Sequence, residues 1–333
     1  MCSKPLKKSE IKKILVILLS NIGDVVVNLL VLDILIKEFP QVQLSVVSGP
    51  KGEPLFRKNP LIHAVYIFDK HWPWLKTFSL VRELHRERFD LVVDLRNTAI
   101  PIFLMPKFRT SIFQRKRKDE HIRLEHIERL RSIVPFSGNH YNRVALPIPR
   151  EDQNYVTDLI KSRIGEGQKF CVVCPSAADH RKRWPAKNFA KLCDRLASVY
   201  GLKIVLTGEG EGEKVVDSVT QQMKQPAVAL KGETTLLQLA ELFKRSALVI
   251  ANDSGPMHLA SYLNVPILAL FGPTDPGGAA PWSITSHYLR KNGNCLACQD
   301  PKSRAKHNCM EAISADDVFV SIRITPKGVV EFN

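Results

Sequence analysis

Short apolar runs alternate along the chain with longer segments whose apolar residues recur every three or four positions. In the first half, the apolar runs fall at residues 14–19, 44–47, 64–68 and 91–94, and the longest helical pattern ends near Phe39. Continuous apolar strands separated by amphipathic helices are typical of βαβ units, in which helices cover both faces of a parallel sheet. The pattern therefore predicts an α/β fold with a doubly wound parallel sheet.

The same alternation begins again after a break near residues 141–151. Pro147 and Pro149 stand close together there, and the residue before a proline favours extended backbone. A chain of 333 residues also exceeds what one hydrophobic core usually organises. We expect two Rossmann-like domains, residues 1–150 and 151–333, with a last helix or tail able to pack back on the first. Further strands are predicted at 169–174, 203–207, 227–230, 247–251 and 266–271, and helices at 75–88, 123–133, 152–163 and from near Pro185, Gly212, Thr234 and Pro256.

The segment 252–258 (NDSGPMH) follows one of these predicted strands. In doubly wound sheets, ligands bind at the carboxyl ends of the strands, where a helix N-terminus presents free N–H groups to an anion. Pro256 suits the first turn of a helix, and Asp253 or Ser254 suits its N-cap. A diphosphate site and an ordinary capped helix with a solvated histidine are both compatible with this pattern. The residues that would contact a diphosphate here are Asp253, Ser254, Gly255 and His258.

Two neighbouring loops carry compatible chemistry. Residues 271–278 (FGPTDPGG) contain too much glycine and proline for a helix, and Gly272 and Thr274 offer backbone N–H groups and a hydroxyl. The loop 175–185 places three cations, residues 181–183, directly before a predicted helix start. Cations at that position oppose the helix dipole, so an anionic ligand explains them better than helix stability does. A plain connection and a solvated basic loop are the respective alternatives.

Acidic residues follow two other strands. The loop 207–213 (TGEGEGE) lacks the spacing of a dinucleotide-binding fingerprint, yet a carboxylate there can accept hydrogen bonds from ribose hydroxyls. Glu213 is equally compatible with a role at the next helix N-terminus. In the first half, Asp24 closes the loop 20–24 (SNIGD). It is a candidate general base for a sugar hydroxyl, or else an N-cap.

Composition and charge narrow the class of protein. Apolar residues make up 44% and charged residues 24%, which excludes wholesale disorder. The net charge of +15 attracts polyanions, whether nucleic acid, an anionic membrane or phosphorylated sugar. The basic stretch 107–131 lacks the interleaved aromatic residues of a nucleic-acid platform, so a solvated face is the simplest interpretation. No apolar run is long enough for a membrane span or a signal peptide, and we expect a cytoplasmic protein.

The cysteines indicate a reduced compartment, because seven scattered residues do not form a disulfide scaffold. Cys171 and Cys174 lie on a predicted strand, where positions three apart face opposite sides. A zinc site is one hypothesis for the C-terminal group, although its second ligand couple has an uncommon spacing, and packed reduced thiols are the default. That group is Cys295, Cys298, His307 and Cys309.

Taken in order, these motifs resemble the ADP-heptose:lipopolysaccharide heptosyltransferases of glycosyltransferase family 9, over nearly the whole chain. The resemblance implies a fold of the GT-B type, with two Rossmann-like domains facing a central cleft, the acceptor bound by the first and the donor mainly by the second. It is carried by residues 19–25 (LSNIGDV), 182–185 (KRWP), 252–258 and 271–276 (FGPTDP), and by Cys295, Cys298, Cys309 and Met310.

The resemblance also implies an activity and roles for single residues. Heptose would pass from ADP-heptose to the lipopolysaccharide inner core by inverting displacement, without a metal or other cofactor. Asp24 would be the general base, Lys182 would neutralise the donor phosphates, and Glu211 would contact the ribose, while Ser20 and Arg96 are expected on the acceptor side. The pocket for diphosphate and sugar would be lined by Asp253, Ser254, Gly255, His258, Gly272 and Thr274.

The same resemblance suggests partners and leaves alternatives. The basic stretch and residues 71–74 (HWPW) would contact the anionic inner-membrane surface, and no nucleic acid is expected. Ala177 and Ala178 stand where some family members carry hydroxyl residues, which leaves open the exact donor or the position extended. Another nucleotide-sugar enzyme of the GT-B type, such as an epimerase, and a non-catalytic two-domain binder are the competing hypotheses.

Overall fold

A computed structural model describes residues 6–18, 20–111, 121–137, 143–291, 309–325 and 328–332. The chain divides into two compact units, Met1–Pro147 and Ile148–Asn333. Each unit is built around its own parallel sheet, with helices in the connections. The predicted class, α/β with two Rossmann-like doubly wound sheets, is confirmed.

The first unit has a five-stranded parallel sheet in the order β3-β2-β1-β4-β5. The central strand, β1, pairs with β2 and β4, so residues 14–17 are fully buried, which explains why the sequence there is continuously apolar. The strands are β1 (Lys13–Ile17), β2 (Gln43–Ser48), β3 (Ala64–Ile67), β4 (Leu91–Asp94) and β5 (Phe108–Arg109). The helices are α1 (Ile22–Glu38), α2 (Trp74–Arg86), α3 (Ile100–Leu104) and α4 (Ile122–Arg131).

The second unit contains a six-stranded parallel sheet in the order β11-β10-β9-β6-β7-β8. Three central strands, β10, β9 and β6, are buried along their whole length. The strands are β6 (Phe170–Cys174), β7 (Lys203–Gly208), β8 (Ala227–Lys231), β9 (Leu248–Asn252), β10 (Ile267–Phe271) and β11 (Ser286–Arg290). The helices are α5 (Arg150–Leu159), which continues as a π-helical turn (Ile160–Ile164), α6 (Ala186–Tyr200), α7 (Glu211–Thr220), α8 (Leu236–Arg245), α9 (Gly255–Tyr262), α10 (Pro276–Ala279) and α11 (Ala315–Val320).

The end of the described chain packs on the second unit. Helix α11 lies against α6, and an antiparallel hairpin of β12 (Ile322–Ile324) and β13 (Val330–Phe332) follows it. The Tyr200 hydroxyl donates a 3.0 Å hydrogen bond to the carbonyl of Ile322. Met310, Ile313 and Val318 join the core that also contains Trp184. The C-terminal segment therefore supports the loops at the carboxyl edge of this sheet.

Two predicted features differ from the structure. Residues 271–278 were expected to contain no helix, but Pro276–Ala279 forms one short turn, α10. Proline suits the first position of a helix because its missing N–H has no intrahelical partner there. The first strand ends at Ile17 rather than at residue 19. Within the described residues, no helix has both the length and the apolar character needed to cross a membrane.

Candidate functional site

Asn252 joins two loops of the second unit. It ends β9 and is fully buried. Its Nδ2 donates to the carbonyl of Pro175 at 2.7 Å, and its Oδ1 accepts from the backbone N of Trp184 at 3.1 Å. Because β9 lies beside β6 in the sheet, this one amide fixes both ends of the loop that follows β6. The first residue of the 252–258 segment is thus a structural anchor.

Lys182 and Asp253 lie together at this edge of the sheet. The Lys182 ammonium donates to Asp253 Oδ2 at 2.6 Å, with Lys182 27% exposed and the aspartate side chain only 5% exposed. The backbone N of Asp253 donates to the carbonyl of Leu270, which fixes its loop on β10. The pair places a partly solvated cation beside a buried carboxylate, directly before the start of α9.

The two arginines that flank Lys182 are also paired. Arg181 binds Asp179 with its guanidinium, Nε to Oδ1 at 2.9 Å, and this hydrogen bond is the largest cause that lowers the pKa of Asp179 to about 2. Arg183 donates to the carbonyl of Ala177 at 2.7 Å and lies 3.3 Å from Glu211. Ion pairs within the unit therefore account for part of this positive charge, which the sequence alone did not indicate.

The start of α9 follows the predicted pattern, with one difference. Ser254 is the N-cap residue and proline stands in the first turn, as expected. The Ser254 hydroxyl, however, donates to the carbonyl of Asn252 instead of capping the helix. His258 is 9% exposed, and its ring stacks on Trp282 with centroids 5.7 Å apart. The alternative interpretation of a solvated histidine is therefore wrong.

Gly272 is required by close packing. A Cβ atom there would lie 2.7 Å from Met310 Sδ and 3.2 Å from the carbonyl oxygen of Arg181. The residue therefore lets the C-terminal segment and the cationic loop approach the end of β10. Thr274, in the same loop, is partly exposed.

Close packing and backbone conformation explain why glycine occupies several positions of the loop after β7. A Cβ on Gly208 would meet the carbonyl of Gly212 at 2.6 Å, and one on Gly212 would meet Ser176 Oγ at 2.9 Å. Gly210 has φ 57° and caps α7, donating its N–H to Glu213 Oε1 at 3.1 Å. Glu213 thus serves the helix N-terminus, the second interpretation offered by the sequence.

Glu211 borders an open cavity. Its side chain is 85% exposed and faces Arg183. The cavity has a volume of about 510 Å³ and lies between the starts of α6 and α7. It is lined by His180, Arg183, Trp184, Pro185, Ala186, Glu211, Lys214, Val215 and Ser218.

In the first unit, Asp24 occupies the third position of α1. It is partly exposed and accepts a 3.0 Å hydrogen bond from the Asn21 amide, while Asn21 is the N-cap residue. The N-cap alternative for Asp24 is therefore wrong. Ser20 packs against the loop after β2, where a Cβ on Gly49 would lie 3.1 Å from Ser20 Cα. One carboxylate oxygen of Asp24 is bonded to Asn21, and the carboxyl group sits at the carboxyl end of the central strand.

A buried polar group lies next to Arg96 and was not predicted from the sequence. Asp94 ends β4 and accepts from the backbone N of Arg96 at 2.8 Å and from the Thr98 hydroxyl at 2.8 Å. Burial is the main influence on this carboxyl group and raises its pKa despite these bonds. Arg129, itself buried, donates to the Asp94 carbonyl at 2.8 Å. The guanidinium of Arg96 lies over the Phe68 ring, 4.6 Å from its centroid. An aspartate followed two to four residues later by turn-forming polar residues is the signal that could have indicated this group.

The described residues contain no group of three or more His, Cys, Asp or Glu side chains placed to hold a metal ion. Cys171 and Cys174 are free and buried in β6, and burial raises the pKa of the Cys174 thiol to about 12. Cys309 is also free and buried. The other members of the proposed zinc group, Cys295, Cys298 and His307, lie outside the described residues, so that hypothesis stays a prediction.

Known structures show the same fold. A crystal structure of a glycosyl transferase family 9 protein from Veillonella parvula superposes with a TM-score of 0.78 at 24% identity, covering 93% of this chain and 95% of that one. The E. coli ADP-heptose lipopolysaccharide heptosyltransferase II superposes with a TM-score of 0.74 at 21% identity, covering 92% and 96%. These likenesses agree with the GT-B type of fold that the sequence predicts.

The sequence match is equally broad. Residues 77–308 match the model of glycosyltransferase family 9 (heptosyltransferase). The chain is a glycosyltransferase, and it belongs to glycosyltransferase family 9, the heptosyltransferases. A lipooligosaccharide heptosyltransferase 2 of Campylobacter jejuni is 26% identical over 321 residues, which cover 93% of this chain and 98% of that protein. The predicted resemblance is confirmed.

Proposed function

We propose that this enzyme transfers heptose from ADP-heptose to the inner core of lipopolysaccharide or lipooligosaccharide, with inversion at the anomeric carbon. Family membership supports heptosyl transfer. The Campylobacter jejuni relative is named for lipooligosaccharide, and the E. coli structure is named for ADP-heptose. The observation that carries the proposal in this chain is the Lys182–Asp253 pair beside the start of α9.

The Lys182–Asp253 ion pair can stay intact while Lys182 binds a diphosphate. An ammonium group has three donors, and Lys182 uses one of them on Asp253, so two remain for oxygens of the donor. The buried carboxylate orients the lysine and compensates its charge in the absence of ligand. We therefore assign Asp253 to positioning Lys182, with its second oxygen available to a sugar hydroxyl. Ser254, Gly255 and the positive end of α9 would face the diphosphate.

The remaining donor residues have narrower roles in this proposal. His258 is held against Trp282 and would shape the wall of the sugar pocket. Gly272 allows the loop of Lys182 to pack closely, and Thr274 would offer its hydroxyl to a phosphate oxygen. Glu211, exposed at the cavity beside Arg183, would accept from a ribose hydroxyl.

We infer the following reaction from these assigned roles. An acceptor hydroxyl attacks the anomeric carbon of the heptose, and the bond from that carbon to the ADP oxygen breaks, so that ADP leaves with the electron pair. Asp24 takes the hydroxyl proton, which its partly exposed carboxylate allows. Lys182 and the dipole of α9 stabilise the negative charge that builds on the leaving diphosphate. Ser20 and Arg96 would contact the acceptor, whose anionic groups suit a guanidinium.

The test is ADP release by the purified protein from ADP-heptose and a heptose-deficient core acceptor. Asp24→Asn should lower kcat by roughly a hundred- to ten-thousandfold, the range of general base catalysis, and leave ADP affinity unchanged. Glu128→Gln, an exposed carboxylate on α4, is the matched control and should be silent. Full activity of Asp24→Asn would remove Asp24 as the base. ADP release that does not depend on acceptor would reject transfer itself.

A further inference from the structure

One polar side chain lies unpaired in the core of the first unit. Asn28, in the second turn of α1, is 0% exposed. Neither its Nδ2 nor its Oδ1 has a hydrogen-bond partner among the residues that the structure describes. A buried polar group without a partner destabilises the folded state, and native proteins contain few of them. An amide in this state is therefore a candidate for a functional role.

The same helix contains a buried polar residue that is paired. From Val25 to Ile36, α1 has two polar residues, Asn28 and Asp33, in an otherwise apolar sequence. Asp33 is 2% exposed, and its Oδ1 accepts a 2.7 Å hydrogen bond from the backbone N of Ala145. Asp33 thus has a structural role, because it fixes a distant part of the chain to α1. Within the described part of the chain, no comparable bond explains Asn28.

Asn28 lies on the face of α1 that carries Asp24. Residues 21, 24 and 28 follow the i, i+3, i+7 spacing that places side chains on one face of a helix. Asn21 is exposed, Asp24 is partly exposed and Asn28 is fully buried, so this polar stripe runs from the solvent into the core. Side chains of a helix lean toward its N-terminus, so the amide of Asn28 leans toward the turn that contains Asp24.

The assigned base is held by one exposed side chain. Among the described residues, Asn21 is the side chain that donates to the Asp24 carboxylate, with Nδ2 3.0 Å from Oδ2. An exposed amide contributes little restraint, because water competes for the same hydrogen bond. A general base needs a fixed orientation, and its hydrogen bonds in a free enzyme often tighten only in the substrate complex. A buried donor one turn away can supply that restraint.

We propose that Asn28 is a positioning residue for Asp24. When the acceptor is bound, Asn28 Nδ2 donates to one oxygen of the Asp24 carboxylate, and the other oxygen takes the proton of the attacking hydroxyl. Polar side chains four residues apart on a helix are within reach of such a hydrogen bond. Asn28 does not contact the substrate, because its side chain is fully buried. The inference rests on the proposed function in that Asp24 is the general base.

This role predicts opposite effects of one substitution on stability and on activity. Asn28→Leu is similar in size and removes the unpaired amide, so the midpoint of thermal unfolding should rise by about 2–4 °C. The same variant loses the donor to Asp24, so kcat for ADP release should fall roughly ten- to a hundredfold. The KM for ADP-heptose should stay at the parent value, because Asn28 acts on the base and not on the donor.

A matched control lies on the same helix. Asp33→Leu also replaces a buried polar residue by leucine, but it leaves the backbone N–H of Ala145 without its acceptor. Its thermal midpoint should therefore fall, while kcat of the folded protein stays at the parent value. The two leucine variants should thus show opposite patterns of stability and activity.

The link between Asn28 and Asp24 is tested in a double variant. If Asn28 acts through Asp24, adding Asn28→Leu to Asp24→Asn should change kcat by less than about twofold. The same fold loss in both backgrounds would overturn the proposal. Parent kcat in Asn28→Leu would also overturn it, and so would a lower thermal midpoint in that variant, since the amide would then have a structural partner.

Failure of the proposed function gives a different result. A parent protein that releases no ADP in the presence of acceptor, or an Asp24→Asn variant with full activity, rejects the base and the role of Asn28 together. An active parent that depends on Asp24 but not on Asn28 rejects this inference alone.

Discussion

Lys182 Nζ lies 2.6 Å from Asp253 Oδ2, so that a loop after β6 and a loop after β9 meet in one ion pair. The lysine is partly open to solvent and the carboxylate is buried. Because a charge-assisted hydrogen bond contributes about 1.5–3 kcal/mol, Lys182→Met should weaken ADP binding roughly ten- to a hundredfold in calorimetry. Lys187→Met, which removes a nearby exposed charge, should leave the affinity unchanged.

The same variant leaves Asp253 buried without its cation, which should lower the thermal midpoint. The double variant Lys182→Met/Asp253→Asn should recover that midpoint but not the affinity for ADP. An ADP affinity restored in the double variant would contradict the assignment of Lys182 to the diphosphate.

Asn252 holds both ends of the cationic loop with its one amide. Asn252→Leu keeps the volume but leaves the N–H of Trp184 and the carbonyl of Pro175 buried and unsatisfied. Urea unfolding should show a loss of about 2–6 kcal/mol, since each of the two groups costs about 1–3 kcal/mol. Asn188→Ala, which removes one weaker bond of 3.3 Å to Ile313, should cost less. Equal losses for the two variants would show that Asn252 is no special anchor.

Gly272 and Gly278 form a matched pair for substitution by alanine. A Cβ on Gly272 would press on Met310 and Arg181, whereas one on Gly278 meets nothing within 4 Å. Gly272→Ala should destabilise the protein by about 1–3 kcal/mol and reduce ADP affinity, because the loop of Lys182 must move. Gly278→Ala should change unfolding by no more than about 0.5 kcal/mol. A silent Gly272→Ala would show that Met310 yields easily.

His126 gives the protein a dependence on pH. Burial is the main cause that lowers its pKa from 6.5 to about 4, and Arg129 adds to it. Below pH 6.5 the unfolded chain binds the proton more readily, so stability is full above that pH and falls as the pH drops toward 4. Lowering the pH from about 7.5 to about 5 should therefore reduce the free energy of unfolding by about 2 kcal/mol through protonation of this histidine in the unfolded chain.

Urea titrations at both pH values check this expectation. In His126→Phe, the free energy of unfolding should no longer fall by this amount between the two pH values. A variant substituted at the exposed His63 should still show the fall. A variant whose stability changes with pH as much as the parent's would place the effect elsewhere.

The apolar pattern predicted both sheets because the inner strands are buried on both faces, which requires continuous runs such as residues 14–17 and 248–251. Edge strands carry no such requirement. The two-residue strand Phe108–Arg109 and the half-exposed Ser286–Arg290 therefore left no apolar run to detect. Such strands are recognised only by their hydrogen-bonded pairing with a neighbouring strand, and the pattern of apolar residues along the chain does not reveal that pairing.

At the site, sequence order predicted which loops carry chemistry but not which residues meet. Lys182 and Asp253 are 71 residues apart, and only the pairing of β6 with β9 brings their loops together. The roles of Asn252 and Gly272 could not be predicted for the same reason. Their partners, which are distant along the chain, are Pro175, Trp184 and Met310. A helix start is a local property: the sequence left Asp253 and Ser254 as N-cap candidates, and Ser254 occupies that position without a capping hydrogen bond from its side chain.

Trp184 donates its indole N–H to the carbonyl of Ile313, and Met310 packs on Gly272, so residues 309–325 support both the cationic loop and the loop after β10. On the ribosome, the strands of the second unit emerge well before residues 309–325. The sheet can assemble early, but these loops gain this support only after residues 309–325 have been synthesised. A chain released before those residues would contain most of the second sheet and still lack the contact that holds Trp184 at the end of the cationic loop.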